Sequence, residues 1–142
     1  MKPLLALVPS ALLALSAAPA AAQDAIVLGA PIPITGPFAS DGTAMQMAIE
    51  PAVEEINAEG GLLGRPVEVS VFDIGDLTPD KLEAAGSNLV GRNGASVLSN
   101  GYGGMGPDIP AFCAYPVPYI NNNATSNVVP LRNSMGCTNI FM

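Results

Sequence analysis

Apolar runs of strand length alternate along the chain with segments of helical character. The apolar runs are residues 25–32, 65–74, 95–100, 117–122 and 139–142. Between them, helical spacing or helix-start residues mark 41–58, 78–92 and 106–115, and 122–127 is a polar turn. Strands that alternate with helices through short loops are typical of right-handed βαβ units. The pattern therefore predicts an α/β fold, with a parallel sheet flanked by helices.

The first helix is predicted from one apolar stripe. Its members, at helical spacing, are Met45, Ile49, Val53 and Ile56. Pro51 lies inside this segment and removes one backbone hydrogen bond, so we expect a kink there. The helix is expected to end at residues 59–61, Glu-Gly-Gly, because glycine tolerates the left-handed backbone found at helix C-termini.

The second helix is predicted to begin at Thr78, with the threonine as N-cap and Pro79 at the first helical position. It would run to about Arg92 with four side chains turned inward: Leu82, Ala85, Leu89 and Val90. In the loop before it, Asp73 and Asp76 are expected to form local bonds from side chain to backbone. Two carboxylates are too few for a calcium site.

The first 22 residues have the character of a secretory signal peptide. A short positive start at Lys2 is followed by an apolar run and by small residues that end in Ala20-Ala21-Ala22. The apolar run is broken by Pro9 and is short for a membrane span, which needs roughly 20 residues. The sequence therefore predicts an exported protein with a leader at 1–22 and a single domain at 23–142.

Composition excludes several classes of function. The chain has 12 acidic and 5 basic residues and a net charge of −7, which becomes −8 when the leader takes Lys2 away. The remaining basic residues are scattered singly, so no basic patch for nucleic acid is expected. Without histidine, a zinc site lacks good ligands, and Ser–His or Cys–His catalysis is impossible within this chain. Catalysis by paired carboxylates stays open.

The two cysteines, Cys113 and Cys137, are predicted to form a disulfide. They are the only thiols of the chain, and the leader directs it to an oxidising compartment. One cysteine falls on the predicted helix 106–115 and the other just before the last strand, so they are plausible neighbours on one face of the sheet.

Glycines 101, 103 and 106 have the G-x-G-x-x-G spacing of a dinucleotide-binding turn. That motif belongs after the first strand and needs an acidic residue about twenty positions later. Here it follows the third strand, and the residues at that distance, 122–127, contain no acid. No cofactor is therefore expected. Two interpretations stay open: a tight structural turn, or a loop whose backbone N–H groups face a polar or anionic ligand.

Three segments resemble the N-terminal lobe of type I periplasmic solute-binding proteins, the branch of the branched-chain amino-acid receptors. They are "IVLGAPIPITGPFASDG" (26–42), "AVEEINAEGGLLGRPVEV" (52–69) and "FDIGDLTPDKLEAAGSNLV" (72–90). The resemblance covers nearly all of 25–142 and implies a periplasmic protein that is not an enzyme. Such proteins close two α/β lobes over a small solute and deliver it to an ABC permease in the inner membrane.

The resemblance also implies three solute-binding loops. After the third strand, the family's serine is replaced by the segment Tyr102-Gly103-Gly104, and after the fourth strand the family threonine is kept in Asn123-Ala124-Thr125. In the first loop, Asp41 matches a position that often faces the ligand. These departures from the family pattern favour a small polar or anionic solute over a plain aliphatic amino acid.

Each of these residues also has a structural interpretation. Asp41 could cap the first helix, and Thr125 with Ser126 could cap a later one. Tyr102 could be a packing residue at the end of the sheet. The rule that ligands bind beyond the carboxyl ends of parallel strands supports the three loops together.

The expected function is therefore extracytoplasmic solute binding for ABC uptake. One alternative is the ligand-sensing ectodomain of a receptor with the same fold, and another is an exported α/β hydrolase. The chain ends inside an apolar strand, at Met142, and no second lobe is present. We therefore expect an incomplete N-terminal lobe.

Overall fold

Strands and helices alternate along the part of the chain that the computed structural model describes, residues 24–100, 106–122 and 125–142. The strands are β1 (Ile26–Ile32), β2 (Val67–Asp73), β3 (Val97–Asn100), β4 (Tyr119–Asn121) and β5 (Ile140–Phe141). The helices are α1 (Ala39–Ala58), α2 (Pro79–Gly86), α3 (Asp108–Cys113) and α4 (Val128–Met135). A 3-10 turn, Gly36–Phe38, precedes α1, and a π-helical turn, Ser87–Arg92, extends α2. The predicted α/β class is confirmed.

The five strands form one sheet in the order β2-β1-β3-β4-β5, and every neighbouring pair is parallel. Each strand is shorter than its apolar run predicted, because the ends of the runs serve as connections. Since all strands point the same way, the loops that follow β1, β2, β3 and β4 leave from one edge of the sheet. This carboxyl edge is where ligands of open α/β sheets bind.

The main core lies between the sheet and the helices α2 and α3. Its largest fully buried members include Tyr119, Phe112, Leu82, Leu89, Leu98 and Ile109. Gly29 in β1 permits close packing there, because a Cβ atom at this position would lie 3.0 Å from the Cβ of Ala95. Burial of these apolar side chains is the dominant stabilising term of the fold.

Helix α1 packs on β1 and β2, as its half-buried apolar stripe predicted. The side chain of Asn57 fixes its end to the start of β2, donating to the carbonyl of Val67 (2.9 Å) and accepting from the Val67 N–H (2.8 Å). The helix ends at Ala58, as predicted from the glycines that follow. Pro51 lies inside α1 and is exposed, so the carbonyl that loses its partner can be hydrated. The kink stays a prediction.

Helix α2 begins as predicted, with Thr78 at the N-cap position and Pro79 at the first helical position. The hydroxyl of Thr78 donates to Asp76 Oδ1 (3.2 Å), however, and makes no capping bond to the helix. The predicted inward side chains Leu82, Ala85 and Leu89 are buried, whereas the fourth, Val90, is half-buried. The predicted end at Arg92 is reached through the π-helical turn.

The sequence indicated helix α4 only through the alternative that Thr125 and Ser126 cap a later helix, and it gave no bounds for it. Its sequence, VVPLRNSM, opens with two β-branched residues and Pro130, which normally disfavour a helix. Pro130 is tolerated because the N–H groups of a first helical turn have no partner inside the helix. The helix ends at Gly136, whose φ of 68° is left-handed. Tertiary packing, with Val128 buried in the core, overrides the weak local preference.

The other face of β4 and β5 carries exposed apolar side chains. Ile120 and Phe141 are direct neighbours in register and are 43% and 53% exposed, while the alternate residues Tyr119 and Ile140 point into the core. Parallel strands are normally covered on both faces.

Among the described residues, no helix is both long and apolar enough to span a membrane.

Candidate functional site at the carboxyl edge

Asp73, the last residue of β2, organises the first loop of the carboxyl edge. Its Oδ1 accepts hydrogen bonds from the N–H groups of Ile34 (2.8 Å), Thr35 (3.1 Å) and Gly75 (2.9 Å), and its Oδ2 accepts from the Thr35 hydroxyl (2.6 Å). The sequence predicted local bonds from side chain to backbone for Asp73 and Asp76. Asp73 makes one, to Gly75, whereas Asp76 accepts from the side-chain hydroxyl of Thr78. The bonds to residues 34 and 35 join β2 to the loop after β1. Because their partners are 38 or 39 residues apart in the chain, no local sequence pattern predicts them.

These bonds also set the charge of Asp73. Desolvation of the carboxyl raises its pKa, but the hydrogen bonds from the Thr35 hydroxyl and from the N–H groups of Gly75, Thr35 and Ile34 outweigh it. Together they bring the pKa of Asp73 to about 2. The group is therefore a carboxylate at neutral pH and acts as a permanent acceptor for the loop.

The same loop lies directly against the start of α1. Gly42 is buried, and a Cβ atom there would overlap the carbonyl group of Pro33. Asp41, the predicted ligand-facing residue, is exposed in the first turn of α1. The N-cap position is Phe38 rather than Asp41, so the capping interpretation of Asp41 is wrong. A carboxylate in the first turn is still favoured by the helix dipole.

Thr125 is the one predicted site residue of the fourth loop that lies among the described residues. It is exposed, and its carbonyl accepts a hydrogen bond from the N–H of Val128 (3.0 Å) at the start of α4. The N-cap position of α4 is Asn127, so neither Thr125 nor Ser126 occupies it. The other predicted binding residues, Tyr102, Gly103, Gly104, Asn123 and Ala124, lie outside the described residues, as does the predicted leader 1–22.

A buried carboxylate, missed from the sequence, lies between the third and fourth loops. Asp108 is the first residue of α3 and is 1% exposed. Its Oδ2 accepts hydrogen bonds from the Tyr119 hydroxyl (2.8 Å) and from Asn121 Nδ2 (2.9 Å). Burial raises the pKa of Asp108, while the hydrogen bond from Tyr119 opposes this shift. No sequence pattern marks this group, because its partners come from another strand.

The predicted disulfide lies at the other end of α3 from Asp108. Cys113, its last residue, is joined to Cys137 with a Cα–Cα distance of 5.4 Å, within the usual range for a disulfide. Asn139 Nδ2 donates beside it to the carbonyls of Phe112, Tyr115 and Val117. The covalent and polar contacts together fix the connection between α3 and β4 against the start of β5.

A surface groove of about 580 Å³ also runs between α2 and α3. It is lined by Asp80, Glu83, Ala84, Ser87, Pro110, Ala111, Ala114 and Tyr115. These residues lie on the two helices or directly after them, and not on the loops of the carboxyl edge, so we place the candidate site at the edge. Among the described residues, no three acidic or cysteine side chains come together as a metal site would require.

Both the sequence and the fold of the chain are similar to those of known proteins. The family model described as "Periplasmic binding protein" matches residues 25–141. The Leu/Ile/Val-binding protein homolog 1 of Brucella abortus is 28% identical over 116 residues, which are 82% of this chain and 30% of the relative. The chain thus spans less than a third of that relative's length.

Solved structures with a similar fold point to the same family. A protein of Silicibacter pomeroyi assigned to branched-chain amino acid ABC transport is 30% identical, with a TM-score of 0.75 over 83% of this chain and 31% of that one. The branched-chain amino acid transporter substrate-binding protein LivJ of Streptococcus pneumoniae, solved with isoleucine, is 27% identical. Its TM-score is 0.67 over 82% of this chain and 33% of that one. The predicted resemblance is confirmed: the chain belongs to the periplasmic binding protein family.

Proposed function

We propose that the protein is the extracytoplasmic solute-binding component of an ABC uptake system, and that residues 23–142 are part of its N-terminal lobe. The observation that carries the proposal is the match of the family model to residues 25–141, nearly the whole of the chain after the predicted leader. In this role the protein works by binding and release and catalyses no reaction. Its partners would be a small solute and a permease of the inner membrane.

The proposed solute is small and polar or anionic. The loops of the carboxyl edge, residues 33–42, 74–78, 101–107 and 122–127, contain neither lysine nor arginine. An anionic group would therefore be held by neutral donors, namely backbone N–H groups and the Thr125 hydroxyl. Glycines 103 and 104 permit close approach of the backbone, which suits this mode of binding. Asp41 would meet a donor such as an ammonium or hydroxyl group.

Calorimetric titration of the protein expressed from its complete native gene tests the proposal. The ligands are L-serine, L-glutamate and benzoate, so that a carboxylate is offered with and without an ammonium group, and L-isoleucine is the plain aliphatic comparison. In Thr125→Ala, one neutral hydrogen bond is lost, and we expect affinity to fall by about 0.5–1.5 kcal/mol, or more for a charged partner. Glu83→Gln, an exposed change on α2, serves as the control.

Two outcomes would contradict the proposal at different points. Binding of none of these ligands would reject the proposed solute class. Binding that Thr125→Ala and Glu83→Gln affect equally, with both variants folded, would remove the fourth loop from the site. Cell fractionation with mass determination of the mature N-terminus, expected at Gln23, tests the predicted export independently.

A further inference from the structure

The buried carboxylate of Asp108 holds together two segments that are distant along the chain but adjacent in space. Asp108 directly follows residues 101–107, the connection from β3 to α3. Asn121 ends β4 and directly precedes residues 122–127, the connection from β4 to α4. Both bonds to Asp108, from Tyr119 and from Asn121, come from β4. The carboxylate therefore bridges the two loops at their bases.

The donors are themselves held in place. The ring of Tyr119 is fully buried and packs edge-on against Phe112, with ring centroids 4.7 Å apart. Asn121 is 3% exposed and is paired with Asn100 of β3 in the register of the sheet. Because the donors belong to the core and to a sheet strand, the hydrogen bonds transmit the position of β4 to the first turn of α3.

Burial of the Asp108 carboxyl group lowers the stability of the fold. Asp108 Oδ1 is buried and has no hydrogen-bond partner among the described residues. An unsatisfied polar atom in the interior destabilises a fold, and an apolar residue of similar size would avoid that penalty. A raised pKa, caused by burial, reports the same cost. The first turn of α3 and the hydrogen bonds from β4 both favour a carboxylate at this position, and only the bonds from β4 join two elements.

We propose that Asp108 is a positioning residue that couples the first turn of α3 to the end of β4, so that the described ends of the two connections, residues 106–107 and 122, keep one arrangement relative to each other. The inference rests on the proposed function for its consequence, solute affinity. The coupling itself concerns only this chain, so it can be measured without any solute. Asp108 is too deeply buried to be assigned a direct contact with the solute.

Amide hydrogen exchange of the unliganded protein tests the coupling. In Tyr119→Phe and Asn121→Ala, changes made on β4, we expect exchange at the amides of residues 106–109 (Pro107 has none) to rise about fivefold or more, as loss of one net hydrogen bond implies. In Asp108→Val, exchange should rise on both sides, at 106–109 and at 125–128. Asp108→Asn keeps a carbonyl acceptor and is expected to stay closer to the wild-type protein.

A matched control separates positioning from general destabilisation. Leu82→Ala removes a buried side chain of α2 and weakens the same core without touching the hydrogen bonds of Asp108. We expect it to lower the melting temperature but not to change local exchange at 106–109. If Leu82→Ala raises that exchange as much as Tyr119→Phe at equal loss of stability, Asp108 has only a structural role.

Titration with the ligands of the panel that the wild-type protein binds gives the functional readout. Asp108→Val should weaken binding about tenfold or more, whereas Asp108→Asn should restore much of it and Leu82→Ala should leave it unchanged. If the wild-type protein binds no ligand of the panel, the proposed solute class fails, and exchange alone decides on the coupling. If binding is present but changes on β4 leave 106–109 undisturbed, the coupling is overturned while the proposed function stands.

Discussion

Substitution of Gly42 by alanine tests how tightly helix α1 approaches the first loop of the carboxyl edge. The new Cβ atom would overlap the carbonyl group of Pro33 and lie 3.1 Å from the backbone nitrogen of Ile34. All of these neighbours are backbone atoms, which cannot rotate away as a side chain can. Either α1 or the loop must therefore move.

Two opposing terms set the size of the effect. Alanine in a helix interior is favoured over glycine by about 1 kcal/mol. Forced overpacking of a well-packed contact costs typically about 1–3 kcal/mol, and occasionally more. Because the overlap at Pro33 involves backbone on both sides, we take the upper end of that range. Gly42→Ala should then lower the free energy of unfolding by about 2 kcal/mol.

Gly91 provides the matched control, because it also lies in a helical segment but has no atom within 4 Å of a constructed Cβ. Gly91→Ala should raise stability by up to about 1 kcal/mol. Thermal and urea unfolding, followed by far-UV circular dichroism, would therefore show shifts of opposite sign, roughly 4 °C for each kcal/mol. Stabilisation by both substitutions would refute the close contact between α1 and Pro33.

Three further predictions follow from particular contacts. Asp73→Asn should destabilise the protein by about 1 kcal/mol at neutral pH, a value reduced for solvent screening. Because the folded pKa of Asp73 is lowered to about 2, this contribution should shrink as pH falls from about 4 through 2, and a urea-unfolding difference that is undiminished at pH 2 would contradict it. Loss of the Cys113–Cys137 bond, whose cysteines are 24 residues apart, should lower the free energy of unfolding by about 3 kcal/mol on the chain-entropy model. Two alkylatable thiols in the exported protein would argue against the bond. The exposed face of Ile120 and Phe141 should make the isolated 23–142 chain self-associate, and replacement of both residues by threonine should reduce this association in sedimentation velocity; an unchanged profile would contradict the prediction.

The amino-acid sequence by itself determined the order of the elements and the fold class. Apolar runs of strand length and a helical stripe depend on local periodicity, which a linear pattern records directly. Helix ends were equally local, as the glycines after Ala58 and the proline after Thr78 illustrate. The family resemblance rested on contiguous segments for the same reason.

Helix α4 marks the limit of that local information. Beyond the cap candidates Thr125 and Ser126, its segment has no helical pattern, since it opens with two β-branched residues and a proline. Burial of Val128 against the core makes the helix favourable there. The hydroxyl of Thr78 makes the same point on a smaller scale, since it bonds to Asp76 although the sequence is that of a helix cap.

At the candidate site, the sequence named loops, but only the tertiary structure decided how they are held. Asp73 binds the loop after β1 across 38 or 39 residues, and Asp108 receives its hydrogen bonds from β4. Gly42 is needed because a loop carbonyl occupies the space of its missing side chain. These contacts join residues that are distant along the chain and become neighbours only in the folded sheet, whose order β2-β1-β3-β4-β5 no local periodicity records.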